Sequence, residues 1–137
     1  MRSIVTGRKQ RFALWAGLGI FGLALIACGS GRDISFIGVP SASATQVIAD
    51  SAQVKADGVS YATITVEVRD NNQNTLPTGG NSVSLATTRG TLSPVVDGNN
   101  GRYVATLKST QTGPATVSAN VEGANVPMTV TVTFVTP

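Results

Sequence analysis

The chain has 137 residues, 42% hydrophobic and only 12% charged, with ten basic against seven acidic side chains and a formal charge of +3. Four of those bases, Arg2, Arg8, Lys9 and Arg11, precede an uncharged run, and from Cys28 onward six bases face seven acids. That near-neutral body has no basic stripe to hold nucleic acid, and a chain without histidine lacks the commonest general base and metal imidazole.

The first 27 residues are read as a leader. A basic head (1–11) is followed by FALWAGLGIFGLALIA (12–27), which carries no charge. This is the order of a secretory signal peptide, a positive n-region and then an apolar h-region. The run is shorter than the roughly 20 residues a stable membrane span needs, and Gly17, Gly19 and Gly22 interrupt it.

The leader ends in Leu25-Ile26-Ala27-Cys28, which contains the only cysteine in the chain. The stretch resembles the lipobox of bacterial lipoproteins. The resemblance implies that the Cys28 thiol takes a diacylglyceryl group as a thioether. A peptidase then cuts between the small Ala27 and Cys28, and the new amine of Cys28 accepts a further fatty chain such as palmitate. Each buried methylene contributes about 0.8 kcal/mol, so two or three chains hold a protein firmly on a bilayer. By the same resemblance, Gly29 in place of an aspartate after the cysteine directs the product to the outer membrane.

Residues 28–43 are expected to form the lipidated cysteine and a flexible tether, since GSGRDISFIGVPSAS (29–43) is rich in Gly and Ser and has no sustained period. Ile34, Phe36, Ile37 and Val39 are apolar for a spacer. They either lie along the domain or the lipid surface, or dock a partner.

From residue 44 to 137 the pattern has period two, that of strands with one buried face. In YATITVEVR (61–69), Ala62, Ile64, Val66 and Val68 alternate with polar residues. RYVATLK (102–108), PATVSANV (114–121) and VPMTVTVTF (126–134) alternate likewise, the last placing Val126, Met128, Val130, Val132 and Phe134 on one face. Weaker runs stand at 45–49, 82–88 and 91–96. Turn signals separate them: Asp57-Gly58, Asp70-Asn71-Asn72, Thr78-Gly79-Gly80, Asp97-Gly98-Asn99-Asn100-Gly101, Gly113-Pro114 and Glu122-Gly123-Ala124-Asn125. Pro127, which has no ladder donor, belongs at a strand start or edge. About seven short strands and no helical periodicity predict an all-β, Ig-like antiparallel sandwich. It has no disulfide, and Tyr61, Tyr103 and Phe134 are expected in its aliphatic core.

The ordered set VKADGVSYATITVEVRD (54–70), SVSLATTRGTLS (82–93), DGNNGRYVATLKST (97–110) and TGPATVSANVEG (112–123) resembles the bacterial Ig-like repeat of the invasin and intimin family. The resemblance implies an Ig-like sandwich in an extracytoplasmic setting. A single repeat is expected, without the membrane β-barrel or terminal receptor-binding domain of the family's adhesins. Gln73-Asn74 stands where many relatives have a glycine turn, and asparagine tolerates the left-handed conformation.

The domain is expected to be non-catalytic. With Cys28 taken as the anchor, no thiol nucleophile remains, and Lys55 and Lys108 sit in ordinary surface contexts. Asp57 and Asp70 could serve as an acid–base pair, but both occupy turn positions where the carboxylate bonds local backbone. Asp97–Gly101 and Asp70–Asn72 offer oxygens of the kind calcium takes, without the spaced acids and closing glutamate of a calcium loop. No cofactor, metal or small-molecule substrate is expected. The chain thus reads as a lipid-anchored envelope protein whose domain binds another protein, in a role such as adhesion. The alternative is a structural or assembly accessory of a larger envelope complex.

Overall fold

The computed structural model describes residues 38–137. In chain order its strands are β1 (Ser41–Ala49), β2 (Gln53–Lys55), β3 (Tyr61–Arg69), β4 (Val83–Thr87), β5 (Thr91–Leu92), β6 (Val96–Asp97), β7 (Arg102–Lys108), β8 (Gly113–Val121), β9 (Ala124–Asn125) and β10 (Val130–Val135). The run at 91–96 is split into β5 and β6, while β2 and β9 lie outside the seven expected runs, β9 within the segment expected as a turn. Among the described residues there is no helix. The uncharged run, Ala27 and Cys28 lie outside the described residues.

One sheet has the order β1-β3-β7-β5, with β6 also on β7, and the other the order β2-β10-β8-β4, with β9 also on β8. All pairings are antiparallel except that of β2 with β10. The chain therefore crosses from one sheet to the other at Asp50–Ala52, between β1 and β2. Asp50 fixes the crossing: its N–H donates to the Thr63 carbonyl (3.0 Å), and its Oδ1 accepts from the Thr63 N–H (2.8 Å).

The two inner faces make the core. Ala62, Ile64, Val66 and Val68 of β3 face Ala115, Val117, Ala119 and Val121 of β8, and Leu107, Tyr103, Val132 and Phe134 complete the layer. Its aromatic content differs from expectation. Tyr103 and Phe134 are buried, but Tyr61 is 56% exposed. Its parity in β3 is opposite to that of Ala62, so the alternation that buries one turns the other outward.

Met128 is also exposed, although it continues the alternation of Val130 and Val132. Asn125 lies opposite Asn120 and Val130 opposite Val117. Five steps on one strand thus answer three on β8, and a two-residue bulge at Pro127–Met128 absorbs the excess. Pro127 has no N–H to continue the ladder, so the break falls there.

A wider bulge shapes β1, where Ser41 lies opposite Arg69 and Gln46 opposite Glu67. The fully buried Thr45 ties this bulge together by donating from Oγ1 to the Ser41 carbonyl (2.8 Å). In the loop after β3 the left-handed residue is Gln73 (φ 70°), not Asn74, and the tight turn there is carried by a side chain that favours it less.

Candidate interaction surface

The described residues offer little for chemistry. Asp57 precedes the nine-residue β3 and Asp70 follows it, so the two carboxylates are about 30 Å apart at a rise of about 3.3 Å per residue. No acid–base pair is formed. Each caps its own turn: Asp57 Oδ1 accepts from the N–H groups of Val59 (2.8 Å) and Ser60 (2.6 Å), and Asp70 Oδ1 from those of Asn72 (2.8 Å) and Asn74 (3.0 Å). Asp97 reaches further, accepting from Gly80 N–H at Oδ2 (2.6 Å) and Asn99 N–H at Oδ1 (2.8 Å). It thereby ties the loop before β4 to the turn before β7. Among the described residues no three His, Cys, Asp or Glu side chains come together as a metal-holding group.

These hydrogen bonds hold all three carboxyls below their ordinary pKa of 3.8. The Ser60 amide is the largest influence on Asp57, the Asn74 amide on Asp70 and the Gly80 amide on Asp97. Because the folded-state values are depressed, the unfolded chain binds more protons in that range. The stabilisation is complete above about pH 5 and is lost as the pH falls through about 4 toward the folded values. The urea midpoint should therefore be lower at about pH 3 than at about pH 6. Asp97→Asn should flatten that dependence, and a midpoint indifferent to pH over this interval would contradict it.

Two surface depressions lie among the described residues. A polar cleft beside Gly58, Gly90, Lys108 and Gln111 holds about 250 Å³, and a dent over Ser84, Ala86 and Ser118 about 70 Å³. Both fall below the roughly 300–1,000 Å³ of ordinary ligand pockets.

The sheet edges differ in how they are guarded. β1 is broken by its bulge, β2 has only three residues, and Pro94 separates the two-residue pieces β5 and β6. Such interruptions discourage pairing with a further strand. Beside the β1 edge, Glu67 lies between Arg69 (2.8 Å) and Arg102 (2.7 Å), so the outer face of that sheet is charged.

β4 has none of these guards. The run Asn81 to Thr88 contains neither charge nor proline. Its ends are fixed: the Asn81 N–H donates to the buried Tyr103 hydroxyl (2.8 Å), the Ser82 N–H to Glu122 Oε1 (2.8 Å), and the Thr88 N–H to the Thr116 carbonyl (3.1 Å). Glu122 N–H donates in turn to the Ser82 carbonyl. With Ser82 and Thr88 bonded to the β8 side, the even residues face β8. The main-chain groups of Val83, Leu85 and Thr87 therefore point away from the sheet. Val83 and Leu85 pack their side chains on the core, and Ser84 and Ala86 face solvent.

Comparison with known proteins identifies the domain. The family model described as invasin, domain 3, matches residues 41–137. The chain belongs to the invasin domain 3 family. The invasin-type sandwich superposes on the crystal structure of invasin, described as a bacterial integrin-binding protein. The TM-score is 0.67 at 36% identity, over 73% of this chain and 20% of that one. The adhesin InvE of Yersinia pseudotuberculosis gives a TM-score of 0.64 at 33% identity, over 72% and 28% of the two chains. A 282-residue C-terminal fragment of intimin, solved with the intimin-binding domain of its translocated receptor Tir, gives 0.59 at 29% identity over 72% and 34%. The chain thus spans between a fifth and about a third of the length of these relatives. The invasin-type domain is an Ig-like, non-catalytic module of the kind these adhesins carry.

Nothing in the sequence pattern separated β4 from the other edges. The signal was there only as an absence, a stretch without charge or proline, whose importance depends on being last in its sheet.

Proposed function

We propose that this is a lipid-anchored protein of the bacterial cell envelope whose invasin-type domain, residues 41–137, recognises another protein in adhesion. Membership of an adhesin family carries the reading, since the relatives named above include an integrin-binding protein and a receptor-bound intimin. The lipobox-like sequence supports the anchor. Residues 1–27 are removed, Cys28 receives the lipid, residues 29–40 act as the tether, shorter than the expected 29–43 because β1 begins at Ser41, and Gly29 directs the product to the outer membrane.

The test is made in bacteria producing the full chain, native or Cys28→Ser, fed a labelled fatty acid. The native chain should take up the label, partition with outer-membrane vesicles and begin at residue 28 by intact mass. The variant should carry no label. For recognition, cells bearing the native chain should bind to a protease-sensitive surface more than cells bearing the empty vector. An unlabelled native chain retaining its first 27 residues would overturn the anchor; binding no stronger than the vector control would overturn adhesion.

A further inference from the structure

We propose that the invasin-type domain is a mechanical clamp, in which the parallel pair β2–β10 holds the two ends of the domain together when they are pulled apart. The adhesion reading supplies such a pull, but the resistance follows from the topology alone and is tested apart from it.

The registers put the two ends of the domain at opposite poles. The chain enters at Ser41, opposite Arg69, the last residue of β3. It leaves after Val135, and Phe134 lies opposite Gly113, where β8 begins. That point follows closely on the end of β7 at Lys108, which lies opposite Tyr61, the first residue of β3. The nine residues of β3 separate the poles by about 30 Å at about 3.3 Å per residue. A pull on the two ends therefore runs along the strands.

Force from the entry pole passes down β1, through the crossing that Asp50 fixes to Thr63, and reaches β2 at its front end. Force from the exit pole reaches β10 at its rear end. Because β2 and β10 run parallel, the two pulls oppose each other along one ladder and load its hydrogen bonds together. Paired the other way, the loaded ends would lie side by side and the bonds would open one at a time. The Thr133 N–H donates to the Ala52 carbonyl at one limit of the ladder and the Ala56 N–H to the Val135 carbonyl at the other, both at 2.8 Å. Val54 bonds to β10 between them through both its main-chain groups, as the parallel pattern requires.

This ladder cannot creep. Val54 and Phe134 stand opposite each other and are both buried, whereas Gln53 and Lys55 are exposed. A slip of one residue would set a buried side chain against an outward one, so the pairing breaks as a unit. The ladder of β1 is interrupted between Ser41 and Gln46, and it gives way before β2 does.

The experiment holds the full chain, carrying Cys28→Ser and kept in detergent, between DNA handles in optical tweezers. Handles on Val39→Cys and Pro137→Cys pull along the strands. Handles on Val59→Cys and Pro137→Cys pull β2 and β10 apart from one pole. Val39 and Val59 are each 76% exposed, so both accept a handle. The first geometry should need about twofold more force than the second, or greater, because unfolding under force follows the barrier along the pulled direction. In the first geometry Ala56→Pro, which removes the Ala56 N–H, should shorten the lifetime at constant force roughly fivefold, the share of one hydrogen bond. Equal forces in the two geometries would overturn the proposal. So would an unchanged lifetime in an Ala56→Pro chain whose far-ultraviolet circular dichroism is native. Should that variant fail to fold, the comparison of pulling directions decides alone.

Discussion

Replacing Phe134 by alanine is expected to remove about 3–5 kcal/mol of stability, the usual loss for a buried phenylalanine whose cavity cannot collapse. Phe134 is 1% exposed and lies in register with Val54 on one side and Gly113 on the other. Neither neighbour can refill its volume, because one is small and fixed in a three-residue strand and the other has no side chain. For a domain of about 100 residues each kcal/mol moves the melting temperature by about 4–8 °C, so a fall of about 12–40 °C is expected. Tyr61→Ala provides the contrast. Tyr61 comes from an equally clear alternating run but faces water, and its truncation should cost less than about 1 kcal/mol. Thermal unfolding of the two variants tests the sandwich directly, and similar losses for both would contradict the assignment of faces.

Gly101→Ala is expected to cost about 2–4 kcal/mol, through two penalties acting at one residue. Its φ of 76° lies in the left-handed region, and an added Cβ would run into the carbonyl oxygen of Leu76. That carbonyl belongs to a loop with little room to retreat. Leu76 is buried, its N–H donates to the Val68 carbonyl (3.0 Å), and the Val68 N–H donates to the Gly101 carbonyl (2.8 Å). Gly80 supplies the control, because its φ of 95° is also left-handed but nothing stands within 4 Å of a Cβ there. Gly80→Ala should show the backbone penalty alone, about 1–2 kcal/mol. Equal urea midpoints for the two variants would remove the Leu76 contact from the account.

The strands that were legible are those with one wet face. β3, β7 and β8 alternate cleanly because each has one face on the core and one in solvent, and a period of two records that directly. What escaped depends on partners distant in sequence. Nothing local marks β2 as parallel to β10, since the three residues Gln53–Lys55 take their identity from Thr133–Val135. Leu76 sits in a segment of turn residues, and only the close approach of Gly101 shows that it is core. Met128 fits its neighbours' alternation, yet the two extra residues of its bulge are visible only when counted against β8. The carboxylates were legible in part. Asp57 and Asp70 bond the backbone two to four residues ahead, as their turn context implied, whereas Asp97 bonds Gly80 across a gap no motif reveals. The free edge at β4 belongs to the same class, because being last in a sheet is a property of topology.

The parallel contact between β2 and β10 also bears on when the molecule can come into being. Val54 waits for Phe134, a partner some eighty positions later, and closing so distant a loop before any reward is gained slows folding. Until the final strand has been made, β2 has no partner in its sheet and Phe134 is missing from the core. A polypeptide threaded through a membrane channel with its front end leading would therefore remain pliable for almost the whole passage, and would lock only as its tail arrived.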